Sequence, residues 1–361
     1  VNVTKAWNDS NNQDGKRPNA VIVHLLADGA DTGKTLTLTE AEQWKGTFSD
    51  LDKYNDNGEE IEYTISEDPV SGYEAVITGD AESGYAITNK HTPEKTNISG
   101  QKTWKDNEDQ DGARPDSIMI RLYANGTEIQ SKTVSTADNW SWEFPNLPKY
   151  ENGTEILYTV TEDAIDGYST EVNGFDVTNT HAPGKTSVTV TKAWDDNNNQ
   201  DGKRTDSIKV QLYADGVKSG DEVTLDASNQ WTHTWNDLDQ KANQKDIEYT
   251  VREVEVPEGY TAEISGDAAA GYTITNRHTP EEISVSGSKT WEDNNDQDGV
   301  RPDFITINLL ADGVQIDSKT VRASDNWTWD FSGLPKYKDG KEILYTVTEN
   351  AVKDYSTTYD G

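Results

Sequence analysis

Ile247-Glu248-Tyr249-Thr250-Val251-Arg252-Glu253 alternates apolar and polar residues without interruption. A period-2 run of this kind is a half-buried β-strand, with Ile247, Tyr249 and Val251 on its core side. Glu253 falls on that same side. The run recurs as Ile61, Tyr63 and Ile65, again ending in an acid, Glu67. Two flanking strands carry the same anomaly. Val188, Val190, Lys192 and Trp194 share a face, as do Val1, Val3, Lys5 and Trp7. In a third strand Tyr272, Ile274 and Asn276 align, matched by Tyr85, Ile87 and Asn89.

These strands belong to a repeat. Lys-x-Trp occurs at Lys5, Lys102, Lys192 and Lys289, spaced by 97, 90 and 97 residues, so a two-module unit of 187 residues is used twice. Each copy runs through the same landmarks. An Asn/Asp-rich loop ends in Gln-Asp-Gly, an alternating strand closes at a turn such as Asp215-Gly216, and an aromatic strand such as Trp231 to Trp235 follows. Short alternating runs between Gly, Asn, Asp and Pro turns predict an all-β fold, a tandem and elongated array of β-sandwich modules of about seven strands each. Modules are expected at 1–93, 94–183, 184–280 and 281–361. The fourth lacks its last strand: Gly361 aligns with Gly174, and Phe175 to Asn179 have no counterpart. Two or three tryptophans per module are expected to fill each small core.

Composition narrows the function. The chain has 361 residues and a formal net charge of −34, with 32% hydrophobic residues and no cysteine. A field of that sign repels nucleic acid and anionic lipid. No apolar run reaches a membrane span, and no signal peptide opens the chain, so no membrane contact is expected in this segment. Without cysteine there are no disulfides, and stability must come from elsewhere. No cofactor or metal is expected. An EF-hand frame on Gly202 offers Asn197, Asn199 and Asp201 but puts Ile208 where a bidentate Glu belongs. His91, His181 and His278 fall one per junction, where they read as packing residues. Ser and His recur at no fixed spacing, so activity on an external substrate is not expected.

The inward Lys, Glu and Asn of each module remain. A buried charge is expensive unless paired, so the three are expected to meet. They form a satisfied Lys–Glu pair with an Asn hydrogen bond, or the lysine snorkels outward, or they react. Burial disfavours charge on both Lys and Glu, and a neutral amine can attack the Asn carboxamide while a protonated Glu polarises it. The product is an amide between the first and last strands with loss of ammonia, a single turnover rather than enzyme activity.

Lys-x-Trp, the Asp-Gly-x-Arg-Pro loop (Asp111 to Pro115, Asp298 to Pro302), Tyr-Thr-Val-x-Glu and Ile/Val-Thr-Asn together resemble the Cna B-type domain, the repeat of Gram-positive collagen-adhesin stalks and pilin-like surface proteins. The resemblance covers the whole chain and implies an inverse immunoglobulin-like sandwich with a Lys–Asn isopeptide bond assisted by an acid. Residue by residue, it implies Lys5–Asn89 with Glu67, Lys102–Asn179 with Glu162, and Lys192–Asn276 with Glu253. Lys289 and Glu349 match without an Asn, and Thr205 replaces the loop proline in the third copy. The implied role is a stalk on a Gram-positive cell wall. Its partners are neighbouring domains of the same polypeptide and a host extracellular-matrix protein held by a domain outside this chain. The alternative is a module that itself binds a matrix protein or glycan.

Overall fold

The computed structural model describes residues 1–360, so the match of Gly361 to Gly174 lies outside the described residues. The chain divides into two compact units, Val1–Ala182 and Pro183–Gly361. Each holds two separate apolar clusters.

The first copy sets the pattern. Its strands are β1 (Asn2–Asn8), β2 (Ala20–Ala27), β3 (Ala30–Thr39), β4 (Lys45–Thr47), β5 (Tyr63–Glu67), β6 (Glu74–Asp80) and β7 (Gly84–Lys90). They form two sheets, ordered β4-β1-β7-β6 and β3-β2-β5. Val3 from β1, Val23 and Leu25 from β2, Leu38 from β3, and Ile87 from β7 meet between the sheets and are buried. That burial follows from the alternation in each strand. The β2–β3 hairpin turns at Asp28-Gly29, where both residues take positive φ, 49° and 81°. A two-residue hairpin demands this, and Asp-Gly supplies it with little strain.

The first strand lies beside the last and runs parallel to it. Lys5 stands opposite Ile87, and Trp7 opposite Asn89. The second and third copies repeat the pairing, with Lys102 opposite Val177 and Lys192 opposite Ile274. Their four-plus-three sheets repeat as well, with a small added hairpin.

Two expectations need correction. Of the eleven tryptophans only Trp142 is buried in a core. The cores are built from Val, Ile and Leu with a few other aromatics, and most of the indoles pack partly buried around them. The alternating strands place compact aliphatics at the sandwich centre, which leaves the larger rings for its ends. In the fourth copy more than one strand is altered. Among the described residues its first sheet is two-stranded, Glu282–Ser288 with Thr328–Pro335. The segment equivalent to Ser169–Asn173 is not a strand there. With no partner to complete a ladder, its neighbour does not pair, and the first strand stops at Ser288, before Lys289.

Candidate functional site: a buried lysine, acid and asparagine in each module

Parallel pairing puts Asn89 two residues beyond the partner of Lys5, on the same face, a diagonal that a lysine side chain spans. Glu67 comes from the other sheet, at the end of β5 where it pairs with Val23 of β2. The three side chains therefore converge across the sandwich from three strands.

In the first copy Lys5 Nζ lies 2.8 Å from Glu67 Oε1, in charge contact but outside hydrogen-bond alignment. In the second, Lys102 Nζ donates to Glu162 Oε1 at 2.7 Å, and Thr170 donates to the other carboxylate oxygen at 3.2 Å. Asn89, Asn179 and Asn276 are each 0% exposed. Neither polar atom of the Asn89 or Asn179 carboxamide has a hydrogen-bond partner. A buried amide left so costs roughly 1–3 kcal/mol, and buried polar groups are rarely left unpaired.

The third copy holds a different arrangement. Lys192 Nζ donates to the carbonyls of Ala193 and Ile274 at 2.7 and 3.4 Å. Glu253 Oε1 instead accepts from Asn276 Nδ2 at 2.9 Å. In the fourth, Lys289 donates to Glu349 at 2.9 Å, without an asparagine.

Burial shifts four of these groups. Desolvation lowers the amines of Lys5 and Lys102, opposed by Glu67 and Glu162. Lys192, whose acid is engaged elsewhere, is brought down to about 8 by desolvation. Desolvation also raises the Glu253 carboxyl, against the Asn276 hydrogen bond. At pH 7 about a tenth of a lysine titrating near 8 is the neutral nucleophile.

The sequence pattern did not point to a further group of residues beside each Lys-x-Trp tryptophan. Asp9 takes both ends of the Arg17 guanidinium at 2.7 and 3.0 Å, the Tyr73 hydroxyl at 2.8 Å and the Asn12 amide at 3.0 Å. Burial pushes its carboxyl up, but these donors more than offset that and hold it below the ordinary range. The same set recurs as Asp106, Arg114 and Tyr168, as Asp196, Arg204 and Tyr260, and as Asp293, Arg301 and Tyr355. The signal was present: an Asp two residues after each Lys-x-Trp tryptophan, and an Arg eight residues further on. That arginine enters the sequence pattern only within the Asp-Gly-x-Arg-Pro loop, with no partner assigned to it.

The loop Asn and Asp side chains also engage other protein groups. Asn199 accepts from the Arg204 amide, and Asp201 accepts from the Glu281 amide and faces His278 Nε2 at 2.8 Å. The junction histidines pack on tyrosine, His91 on Tyr73 and His278 on Tyr260, each with ring centroids 5.3 Å apart.

The Cna protein B-type domain family matches at residues 1–90, 98–180, 188–277 and 285–361, nearly the whole chain. The chain belongs to the Cna B-type family. It is 46% identical over 360 residues to a collagen adhesin of Staphylococcus aureus, covering 99% of this chain and 30% of that protein. The chain thus spans under a third of this curated relative. A crystal structure of two B repeat units of the S. aureus collagen-binding protein aligns with all of the chain and 95% of its own, at 39% identity and TM-score 0.46. A single B repeat unit of that protein aligns with 52% of this chain and 100% of its own, at 47% identity and TM-score 0.27. Among the described residues of this Cna B-type chain, no helix is long and apolar enough to cross a membrane.

Proposed function

We propose that this chain is a run of stalk modules from a Gram-positive surface adhesin, and that three of its modules close themselves with a Lys–Asn amide. The modules are taken as 1–93, 94–183, 184–280 and 281–361. The observation that carries the chemistry is the pair of orphaned carboxamides, Asn89 and Asn179, on the diagonal from a desolvated lysine.

The step balances without a co-reactant. The neutral lysine Nζ attacks the Asn Cγ, forming one C–N bond. The bond from Cγ to Nδ2 then breaks, and a proton from Nζ leaves with Nδ2 as ammonia. The acid serves as the carrier. It touches the attacking nitrogen in the first two copies and the departing one in the third. A carboxyl that reaches both nitrogens can polarise the carbonyl and relay the proton. Water exclusion at the sandwich centre keeps the amine from being protonated.

The resulting bonds are Lys5–Asn89, Lys102–Asn179 and Lys192–Asn276. Because the first and last strands run side by side, each bond connects entry and exit of its module directly. Load then bypasses the intervening sheets. Four similar copies in series extend a stalk, whereas a ligand site needs one copy. The collagen adhesin relative supports a place outside the cell, with wall anchoring and matrix binding supplied by domains outside this chain.

Intact-protein mass tests the chemistry. The expected mass is the sequence mass less three ammonia losses, and an unreduced mass would reject self-cross-linking. Saturable binding of the chain to a matrix protein at low micromolar concentration would replace the stalk reading with a binding one.

A further inference from the structure

In each copy the tryptophan of Lys-x-Trp is held between two cations. In the second, Lys102 Nζ lies 4.5 Å from the Trp104 ring centroid and Arg114 Cζ lies 5.3 Å from it. Tyr168 and Trp140 meet the indole edge to face, with centroids at 5.2 and 5.1 Å. Neither Arg114 nor Tyr168 is free to move. Asp106, 2% exposed, binds the guanidinium at two points, 2.6 and 3.0 Å, and accepts from the Tyr168 hydroxyl at 2.8 Å. Asp109 accepts from the Arg114 backbone amide at 2.8 Å, so the loop is tied down as well. The first, third and fourth copies keep this set, with the lysine 4.6, 4.1 and 4.8 Å from its ring.

We infer that the Asp–Arg–Tyr cage of the Asn/Asp-rich loop is a positioning device for the cross-link, clamping the indole plane over the lysine amine and sealing it from water. The inference rests on the self-cross-linking reading. None of the cage residues touches the reacting atoms. They act through Trp104, which a bidentate, stacked arginine can fix in a way that a lysine cannot. The charged and titratable groups around Lys102 are Glu162, from the opposite sheet, and, beyond the indole, Arg114 and Asp106 with the neutral Tyr168 hydroxyl. The fourth copy holds the same cage.

The test uses the full chain with Arg114→Gln, followed by intact mass and peptide mapping after isolation at pH 5 to 9. The bonds of the first and third copies are internal controls for folding and chemistry. The expected result is a chain isolated with the Lys102–Asn179 bond incomplete, which then matures at least about tenfold more slowly than its neighbours at pH 7. Its rate profile should move upward by about one pH unit, the tenfold equivalent for a better-hydrated amine. A general loosening would slow the reaction at every pH without moving the profile. Tyr168→Phe, which keeps the ring and removes only its hydroxyl bond to Asp106, should shift the profile in the same direction by less, and it decides the matter if Arg114→Gln does not fold. A variant bond complete at isolation, or slowed with an unmoved profile, overturns the cage. An unlinked wild-type chain overturns the cross-link itself.

Discussion

Glu162 reaches across the sandwich to Lys102, 2.7 Å from carboxylate to ammonium, with both side chains wholly removed from solvent. The pair joins the sheet that contains the first and last strands to the sheet that does not. Removing one partner of such a pair leaves an uncompensated buried charge and typically costs about 3–5 kcal/mol. In the proposed cross-linking step the acid would also carry the proton.

Replacing Glu162 with Ala should therefore stop the chemistry and weaken the fold together. The variant should show one ammonia loss fewer than wild type, with the other two bonds formed. Its second module should lose the benefit of loop closure, about 4–5 kcal/mol for a loop approaching 100 residues. Differential scanning calorimetry and limited proteolysis check this. Unchanged heat and protease resistance in that module would sink the mechanical argument.

Within the unit Val1–Ala182 the two modules meet backbone to backbone. A Cβ on Gly15 would come within 2.6 Å of the Gly153 Cα, and the Gly153 amide donates to the Gln13 carbonyl at 2.9 Å. Gly15→Ala should push the modules apart and abolish that bond, at a further cost of about 1 kcal/mol for its positive φ of 68°. Hydrogen exchange at the Gly153 amide is the readout. Full protection in the variant would show that the bond survives and would reject the predicted separation. Gly202 and Gly340 repeat the arrangement in the other unit.

Glu281 bridges Lys203 at 2.9 Å and Lys336 at 3.0 Å, and the two ammonium groups hold its carboxyl down at about 2. A depressed acid adds stability above its unfolded value near 4.5 and loses it as pH falls through the folded one. The contact should thus weaken between about pH 4.5 and 2, and more readily in high salt, since the pair is exposed. An NMR titration of the Glu281 side chain should find its midpoint near 2, returning toward 4.5 in Lys203→Met/Lys336→Met. A midpoint near 4.5 in wild type would refute the clamp.

His278 donates through Nδ1 to the Gly259 carbonyl at 2.8 Å while Nε2 faces Asp201 at 2.8 Å. With Nδ1 carrying a proton, only the doubly protonated ring can also donate to Asp201, so that carboxylate raises the histidine above its ordinary value. The sign is opposite to that of Glu281. The contribution is complete below about 6.5 and is lost as pH rises through the higher folded value. Asp201→Asn should return the titration toward 6.5 by NMR, and no movement would reject the pairing.

The alternation in residues 247–253 and its repeats was enough to place Lys, Glu and Asn inward, because a strand has only two faces. It also predicted two-sheet modules. The Arg17–Asp9–Tyr73 cage was harder to read, because its members are separated by loops whose path no periodicity constrains. The approach of Gly15 to Gly153 lay beyond pattern reading altogether, since it depends on how one module docks on the next. Lost strand pairing in the fourth copy is likewise a cooperative effect: a strand exists by virtue of its neighbours, and local alternation cannot supply them.

The parallel placement of β1 beside β7 also decides where such a chain can be cut. With Lys5 and Asn89 joined, residues between them form a closed ring, and one nick by a protease within that ring leaves the two ends of the polypeptide connected. Severance requires a cut outside the rings, in segments such as that from Asn89 to Lys102. In this segment His91 and the Glu94 backbone amide are bound to Asp14, and residues from Lys95 onward are already in the next sandwich. Between the first two copies, the positions at which a single cleavage would break a cross-linked chain are thus ones that the fold itself ties down.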